Sequence, residues 1–227
     1  MQPGIRAVQR NWAPFLLIQA AAAVLVVCYY HFETVRIAAK IVCDARQHWG
    51  ELYIVTSGAI AGSVLPQVAK VITGQTKQIN RRFWTDSLYI AFVFAVLAAL
   101  VEPFYRLQGV IFGHGIDIIT LLKKMSLDMF CVSPLFFVPT GMFLFYARQN
   151  GFQLARLRQG FSWRFFRAYA VPTLPLNLAF WGPMVLCIYA LPSALQFPFS
   201  QLVQGAWSLI FVFIANDAGG NTWATAD

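Results

Sequence analysis

The sequence predicts an all-α integral membrane protein, a bundle of about six transmembrane helices plus one interfacial amphipathic helix. Of its 227 residues, 59% are hydrophobic and 11% are charged, whereas a soluble domain carries about a quarter charged residues. The apolar residues fall in runs about 20 residues long, the length of helix that crosses a bilayer core of about 30 Å. The alternation of polar and apolar residues that marks an outer-membrane barrel is missing from the sequence.

Six apolar runs are predicted to span the membrane, and polar or basic segments connect them. The runs cover residues 13–30, 52–71, 87–107, 125–146, 168–191 and 199–215. The fifth run contains Pro172, Pro175 and Pro183, so neighbouring helices are expected to shield the backbone carbonyls that these prolines free.

The charges in the connections predict that both termini lie on the same side of the membrane. Counted on alternate sides, one side carries Arg6, Arg10, Lys70, Lys77, Arg81, Arg82, Arg148, Arg156, Arg158, Arg164 and Arg167, and the other carries Arg36, Lys40, Arg46, Arg106, Lys123 and Lys124. The side richer in Lys and Arg is the matrix or cytoplasmic side under the positive-inside rule.

Three segments are predicted along the chain. Residues 1–50 form an N-terminal extension with one transmembrane helix, residues 51–216 form the helical membrane bundle, and residues 217–227 form a polar C-terminal tail. Within the bundle, residues 148–168 interleave arginines with aromatic side chains, which predicts an amphipathic helix lying in the lipid headgroup region. The predicted headgroup contacts are Arg156, Arg158, Arg164 and Arg167.

The most informative stretch covers residues 123–134, in which two lysines and one carboxylate precede an apolar run. Lys124 and Asp128 are four residues apart, so they can pair on one face of a helix, and a donor from another span is the alternative partner for Asp128. Asp128 is expected in an early helical turn, where the macrodipole favours an anion. Pro134 is expected to kink the helix. An ordinary first turn of a membrane helix is also compatible with these residues.

Two further features concern helix packing. Gly58 and Gly62 are four residues apart, a spacing that lets two membrane helices approach closely, and we expect this face to contact a partner protein. Glu102 and Arg106 are also four residues apart and are predicted to form an interfacial ion pair.

Residues 123–134 resemble the family of the Mpv-seventeen protein and the twenty-two-kilodalton peroxisomal membrane protein. That family carries Lys-Lys, an Asp four residues after the second Lys and a Pro six residues after the Asp. Lys123, Lys124, Asp128 and Pro134 stand at those spacings.

Two other regions carry the same resemblance. Gly62 and Gln67 match a family pattern of Gly-Asp, three residues and Gln, in which Ser63 here replaces the acidic residue. Trp181 and Pro183 are similar to the family's Trp-Pro pair, and Pro192 and Trp207 keep a family-like spacing, although the polar residues that the family has between them are missing. The resemblance covers residues 52–212, so the chain looks like a divergent member with an extra N-terminal span.

The resemblance implies a location in the inner mitochondrial membrane, with the peroxisomal membrane as the alternative. It also implies a pore or solute-carrier role, as suggested for some family members. The losses of polar residues noted above each remove a plausible lining group from such a pore.

The residue types do not favour an enzyme. No nucleophile elbow, H-E-x-x-H motif or phosphate-binding loop occurs in the sequence, and the four cysteines and three histidines show no metal-ligand spacing. We therefore predict no catalytic residue, no metal and no cofactor. The net charge of +8 is spread over the connections, which favours contacts with anionic lipid headgroups rather than nucleic acid.

The function favoured by the sequence is that of a non-catalytic accessory or structural subunit of a larger inner-mitochondrial-membrane assembly, for example a respiratory one. Its expected partners are membrane lipids and other membrane subunits. The abundant aromatic residues, 16% of the chain, and the small-residue packing face support this prediction. The alternative is an autonomous channel or small-solute pore.

Overall fold

A computed structural model describes residues 12–76, 78–153, 157 and 162–217. These residues form six helices and no strand. The helices are α1 (Trp12–His31), α2 (Glu33–Ile72), α3 (Arg81–Phe112), α4 (Ile118–Gln149), α5 (Trp163–Tyr189) and α6 (Ser193–Asp217). The first five are long and apolar enough to cross a membrane. The predicted all-α class is therefore confirmed.

α3 and α4 begin earlier than the apolar runs predict, because a polar residue before each of these two helices caps it. The Asn80 side chain accepts a hydrogen bond from the Phe83 amide at 2.9 Å and starts α3. Asp117 accepts one from the Thr120 amide at 3.0 Å and starts α4. Asp128 consequently lies ten residues after Ile118, and the prediction that it occupies an early turn is wrong.

The central part of the predicted interfacial helix at residues 148–168 lies outside the described residues, apart from the helical Leu157, so this helix stays a prediction. α4 extends to Gln149, and α5 already begins at Trp163, so Arg164 and Arg167 lie exposed in the first turns of α5. Arg156 and Arg158 lie outside the described residues.

α2 changes direction at Gly50, whose φ of 49° and ψ of −124° lie outside the helical region. Glycine adopts a positive φ without the steric cost that a Cβ imposes. The break divides a polar first half from the apolar second half, at the predicted boundary between the N-terminal extension and the bundle. The extension is not detached from the bundle, as the contacts of α1 demonstrate.

α4 contains a π-helical stretch over Leu127–Phe137, in which the turns are wider than in an α-helix. Pro134 lies inside this stretch, and the Val138 amide donates to the carbonyl of Ser133, five residues earlier. The wider turns accommodate the missing amide of the proline. The disturbance predicted at Pro134 therefore takes the form of a π-helical segment.

The small residues of α2 pack against α3 within the same chain. A Cβ on Gly58 would lie only 2.7 Å from the carbonyl oxygen of Phe94, and one on Gly62 would overlap the Phe94 ring. The predicted close approach of two helices is present. The expectation that this face contacts a partner protein is wrong, because α3 already covers it.

α1 packs on α5 and α6 through an aromatic and an amide side chain. The Phe15 ring lies 5.5 Å from that of Phe180 and 5.8 Å from that of Trp207. Gln19 Nε2 donates to the carbonyl of Ala179 at 2.8 Å. Since Pro183 has no amide hydrogen for that carbonyl, Gln19 supplies the missing donor. A neighbouring helix thus satisfies a carbonyl freed by proline, as the sequence predicts.

Candidate functional site

The interior of the bundle holds a polar cluster where α3, α4 and α5 meet. Its members are Tyr105, Gln108, Lys124, Asp128 and Tyr189, and none of them is more than 8% exposed. Buried polar and ionisable side chains inside an apolar bundle are costly unless they are paired. Their partners therefore decide what this cluster does.

A chain of hydrogen bonds crosses the cluster from α3 to α4 through α5. Gln108 Nε2 donates to Tyr189 Oη at 2.6 Å, and Tyr189 Oη donates to Asp128 Oδ2 at 2.7 Å. The three residues are distant in sequence, so these bonds join separate helices. Polar side chains in membrane proteins commonly connect helices in this way.

Lys124 contacts the same tyrosine from its other side. Lys124 Nζ lies 5.7 Å from the centroid of the Tyr189 ring, within the range of a cation–π interaction. The Tyr105 ring meets the Tyr189 ring edge-on at 5.5 Å. Of the two partners predicted for Asp128, the structure contains the donor from another span, and no ion pair joins these two described residues, Lys124 and Asp128.

One atom of the cluster is unpartnered. Among the buried side-chain polar atoms that the structure describes, Gln108 Oε1 has no hydrogen-bond partner. An orphaned acceptor destabilises the fold by about 1–3 kcal/mol.

An ionic group lies next to this cluster along α3. Glu102, whose side chain is 4% exposed, pairs with Arg106 at 2.7 Å and with Arg46 of α2. Arg46 also donates to the carbonyl of Ala194 at the start of α6. The predicted Glu102–Arg106 pair is present. Arg46 was not predicted as a partner, because it lies in the polar half of α2, 56 residues before Glu102 in the sequence.

The remaining motif residues are spread over the bundle rather than gathered at the cluster. The Trp207 ring lies 4.3 Å from that of Phe180 and 6.4 Å from that of Trp181. Gln67 and Pro134 are partly buried, and Lys123, Pro183 and Pro192 are exposed. The motif residues therefore contribute to packing at several places instead of forming one site.

Two polar side chains that the sequence motifs did not select also join helices. Asn177 Nδ2 donates to Ser133 Oγ at 3.0 Å, which links α5 to α4. Ser63, which stands where the family pattern has an acidic residue, donates to the carbonyl of Ser87 at 2.7 Å and links α2 to α3. Sequence offers a signal for such residues, since an isolated polar side chain in an apolar run tends to face the protein interior.

Asp117 is a titratable group in the connection between α3 and α4, next to the first turn of α4. Its carboxylate accepts hydrogen bonds from the Thr120 side chain and from the Thr120 amide, and both lower the pKa of the Asp117 carboxyl below its ordinary value. The ionised form therefore caps α4 at neutral pH.

The cluster joins helices through paired polar side chains. Asp128 and Tyr189 are each engaged with protein groups, and no set of three His, Cys, Asp or Glu residues among those described could hold a metal ion. What the geometry supplies is a set of directional contacts between helices.

The fold and the cluster define an all-helical protein with several helices apolar enough to cross a membrane. No family model, no curated protein and no solved structure matches the chain. Membership of the Mpv-seventeen family therefore rests on the motif residues of the sequence and stays a prediction.

Proposed function

We propose that this chain is a non-catalytic, multi-span membrane protein that serves as an accessory subunit of a larger assembly. The observation that carries this proposal is an exposed apolar surface at one end of the bundle. We define the His31 end as the end of the bundle at which α1 ends and α2 begins. The α3–α4 and α5–α6 connections lie at the same end. The opposite end is the Trp12 end.

α3 is longer than the membrane core requires. Its 32 residues extend for about 48 Å, against a hydrocarbon thickness of about 30 Å. Asp86 pairs with Arg148 near the Trp12 end, and Arg106 pairs with Glu102 towards the His31 end. Asp86 and Arg106 are separated by about 30 Å along α3, which matches the thickness of the hydrocarbon core.

The residues beyond Arg106 carry the apolar surface. We name it the apolar tip, and it consists of the exposed side chains Leu107, Val110, Ile111, Ile116, Ile118, Ile119 and Leu122. Val110 is 82% exposed and Ile118 is 63% exposed. Lipid chains would not reach side chains that project past the ionic position. Several large apolar side chains exposed at that level favour a protein–protein contact.

The polar interior supports a packing role over the alternative, an autonomous channel or small-solute pore. A pore needs polar side chains arranged around a water-filled path. Here the buried polar side chains bond across helices, as in the chain from Gln108 through Tyr189 to Asp128. Ser63 likewise bonds to α3. These contacts favour a closed bundle.

We further propose six membrane crossings, with both termini on the side richer in Lys and Arg. α6 then crosses as the sixth helix. The inner mitochondrial membrane is the proposed location and the peroxisomal membrane is the alternative, both from the family resemblance. Protease protection of a tag at each terminus tests the crossings, and opposite protection of the two tags would contradict them.

The subunit proposal is tested by truncating the apolar tip. The double variant Val110→Ala and Ile119→Ala removes five methyl or methylene groups and should weaken the partner contact by about 2–4 kcal/mol. In gentle detergent this variant should leave the high-mass complex in which the unmodified chain migrates. The matched control is Leu88→Ala with Leu135→Ala, two equally exposed aliphatic residues within the proposed membrane core.

Either of two results would overturn the proposal. The first is migration of the unmodified chain from its native membrane as a monomer or homo-oligomer. The second is reproducible, mutation-sensitive conductance of the purified chain in planar bilayers, which would establish the pore instead.

A further inference from the structure

We infer that the His31 end contains a binding site for the phosphate group of an anionic phospholipid, with Arg36 and Lys40 as its cations. The site is a cleft of about 210 Å³ between the last turn of α1, the first half of α2 and the start of α6. It is separate from the apolar tip and from the polar cluster, and it does not depend on the proposed subunit role.

The cleft wall has the chemistry of a lipid headgroup site. Arg36 and Lys40 are four residues apart on α2, so they lie on one helix face and line the cleft together. Among the described residues, no acidic one lines the cleft and neither cation forms an ion pair. The cleft is also lined by Leu195, Pro192 and Tyr29, and the Tyr29 ring adds to this largely apolar lining. Paired cations beside apolar walls suit a phosphate that continues into an acyl chain.

The position of the cleft also suits a headgroup. The apolar helix α1 ends at His31, and Tyr30 Oη donates to the carbonyl of Ala190 at 2.5 Å, between α5 and α6. The cleft therefore lies at the level where α1 ends and the α5–α6 connection turns. Phosphate groups occupy this interfacial level of a bilayer.

The cations of a larger neighbouring cleft, of about 420 Å³, are already neutralised by a carboxylate. This second cleft is lined by Arg46 and Arg106, and both arginines pair with Glu102. By contrast, Arg36 makes one hydrogen bond, to the carbonyl of Tyr30 at 3.3 Å, and its remaining guanidinium donors point to no described acceptor. The unneutralised pair therefore lies in the smaller cleft.

The test measures lipid bound by the purified full chain in nanodiscs. Nanodiscs of phosphatidylcholine receive either phosphatidylglycerol or cardiolipin, and bound anionic lipid is quantified by native mass spectrometry after extraction. Arg36→Gln and Lys40→Gln should each weaken retention about fivefold, and the double variant about 30-fold. The control is Lys123→Gln, an exposed cation of the same end outside the cleft, which should retain the lipid.

A second arm distinguishes a lipid from a soluble phosphate compound. Inorganic phosphate and glycerol 3-phosphate are titrated against the lipid-loaded protein, and displacement at micromolar concentration would overturn the assignment to a lipid. Unchanged lipid retention in the double variant, or an equal loss in the Lys123 control, would overturn the site itself. Both cleft cations are exposed, so Lys40→Arg serves as a folded, charge-preserving variant that should bind as the unmodified chain does.

Discussion

The hydroxyl of Tyr189 is the single group whose removal best tests the role of the polar cluster. Tyr189→Phe deletes the hydroxyl that accepts from Gln108 and donates to Asp128. It leaves the ring in place, so the contacts with Lys124 and Tyr105 persist. The substitution therefore isolates the two hydrogen bonds from the packing of the aromatic ring.

The expected loss of unfolding free energy is about 2 kcal/mol. Hydrogen bonds between membrane helices contribute about 0.6 kcal/mol on average and up to about 1.7 kcal/mol. Two such bonds are lost here. The buried Asp128 carboxyl and the Gln108 amide are each left without this partner, which adds to the cost.

The assay is reversible unfolding in detergent micelles with increasing sodium dodecyl sulfate, followed by circular dichroism. A double-mutant cycle with Asp128→Ala should give a coupling energy of about 1 kcal/mol or more between the two side chains. Tyr53→Phe is the matched control, because the Tyr53 hydroxyl makes no hydrogen bond among the described residues. A loss below about 0.5 kcal/mol for Tyr189→Phe, or one equal to that of the control, would refute the assignment of the cluster as a helix-joining network.

Three further substitutions test other contacts of the fold. Gly62→Ala should lower the melting temperature, because its Cβ would overlap the Phe94 ring, whereas Gly141→Ala should not, since its Cβ would lie 3.7 Å from the nearest side chain; equal melting temperatures would contradict the close packing. Glu102→Gln should lower the free energy of unfolding by about 2 kcal/mol. This is less than the full cost of breaking a buried ion pair, because the Arg106 partner is 66% exposed. A change indistinguishable from zero would show that the ion pairs are solvated. Asp117 has a lowered pKa, so its cap stabilises α4 at neutral pH and is lost as the pH falls through that lowered pKa, below its ordinary value of 3.8. Hydrogen exchange in the first turn of α4 should therefore speed up in acid relative to the remainder of the helix, and Asp117→Ala should abolish this difference.

The sequence predicts the fold class well because the class depends on composition and run length. Long apolar runs give helices whatever their partners are. The limits of the helices were less predictable, since α4 begins at Ile118 rather than near residue 125. The cap at Asp117 offered a signal for the true start, because an N-cap residue precedes the first turn. Apolar run length alone marks the membrane-embedded part of a helix.

The polar cluster was predictable in part. The spacing of Lys124 and Asp128 identified a carboxyl that needs a partner, and one of the two proposed kinds of partner is present. Which residue supplies the hydroxyl could not be predicted, because Tyr189 lies 61 residues away in a separate apolar run. The same holds for Gln19, although a lone amide in an apolar run points to a protein-facing position.

The small-residue motif of Gly58 and Gly62 shows a second limit of what the sequence can predict. The spacing of Gly58 and Gly62 encodes close approach of another helix, and that approach is present. It does not encode which helix approaches, and so the partner-protein interpretation was wrong. An intramolecular partner, α3, satisfies the same steric requirement.

The polar contacts between helices are unevenly distributed, and this asymmetry connects the two proposed surfaces. Near the His31 end, α1 bonds to the α5–α6 connection, α2 pairs with α3, and the polar cluster joins α3, α4 and α5. At the Trp12 end the described contacts join α2, α3 and α4, through the bond from Ser63 to the carbonyl of Ser87, the Arg148–Asp86 pair and the bond from Tyr89 to the carbonyl of Leu144. Directional contacts that join more helices restrain their relative positions more than contacts that join fewer do. The apolar tip and the lipid cleft both lie at the more extensively bonded end, where a partner or a headgroup would meet a preorganised surface.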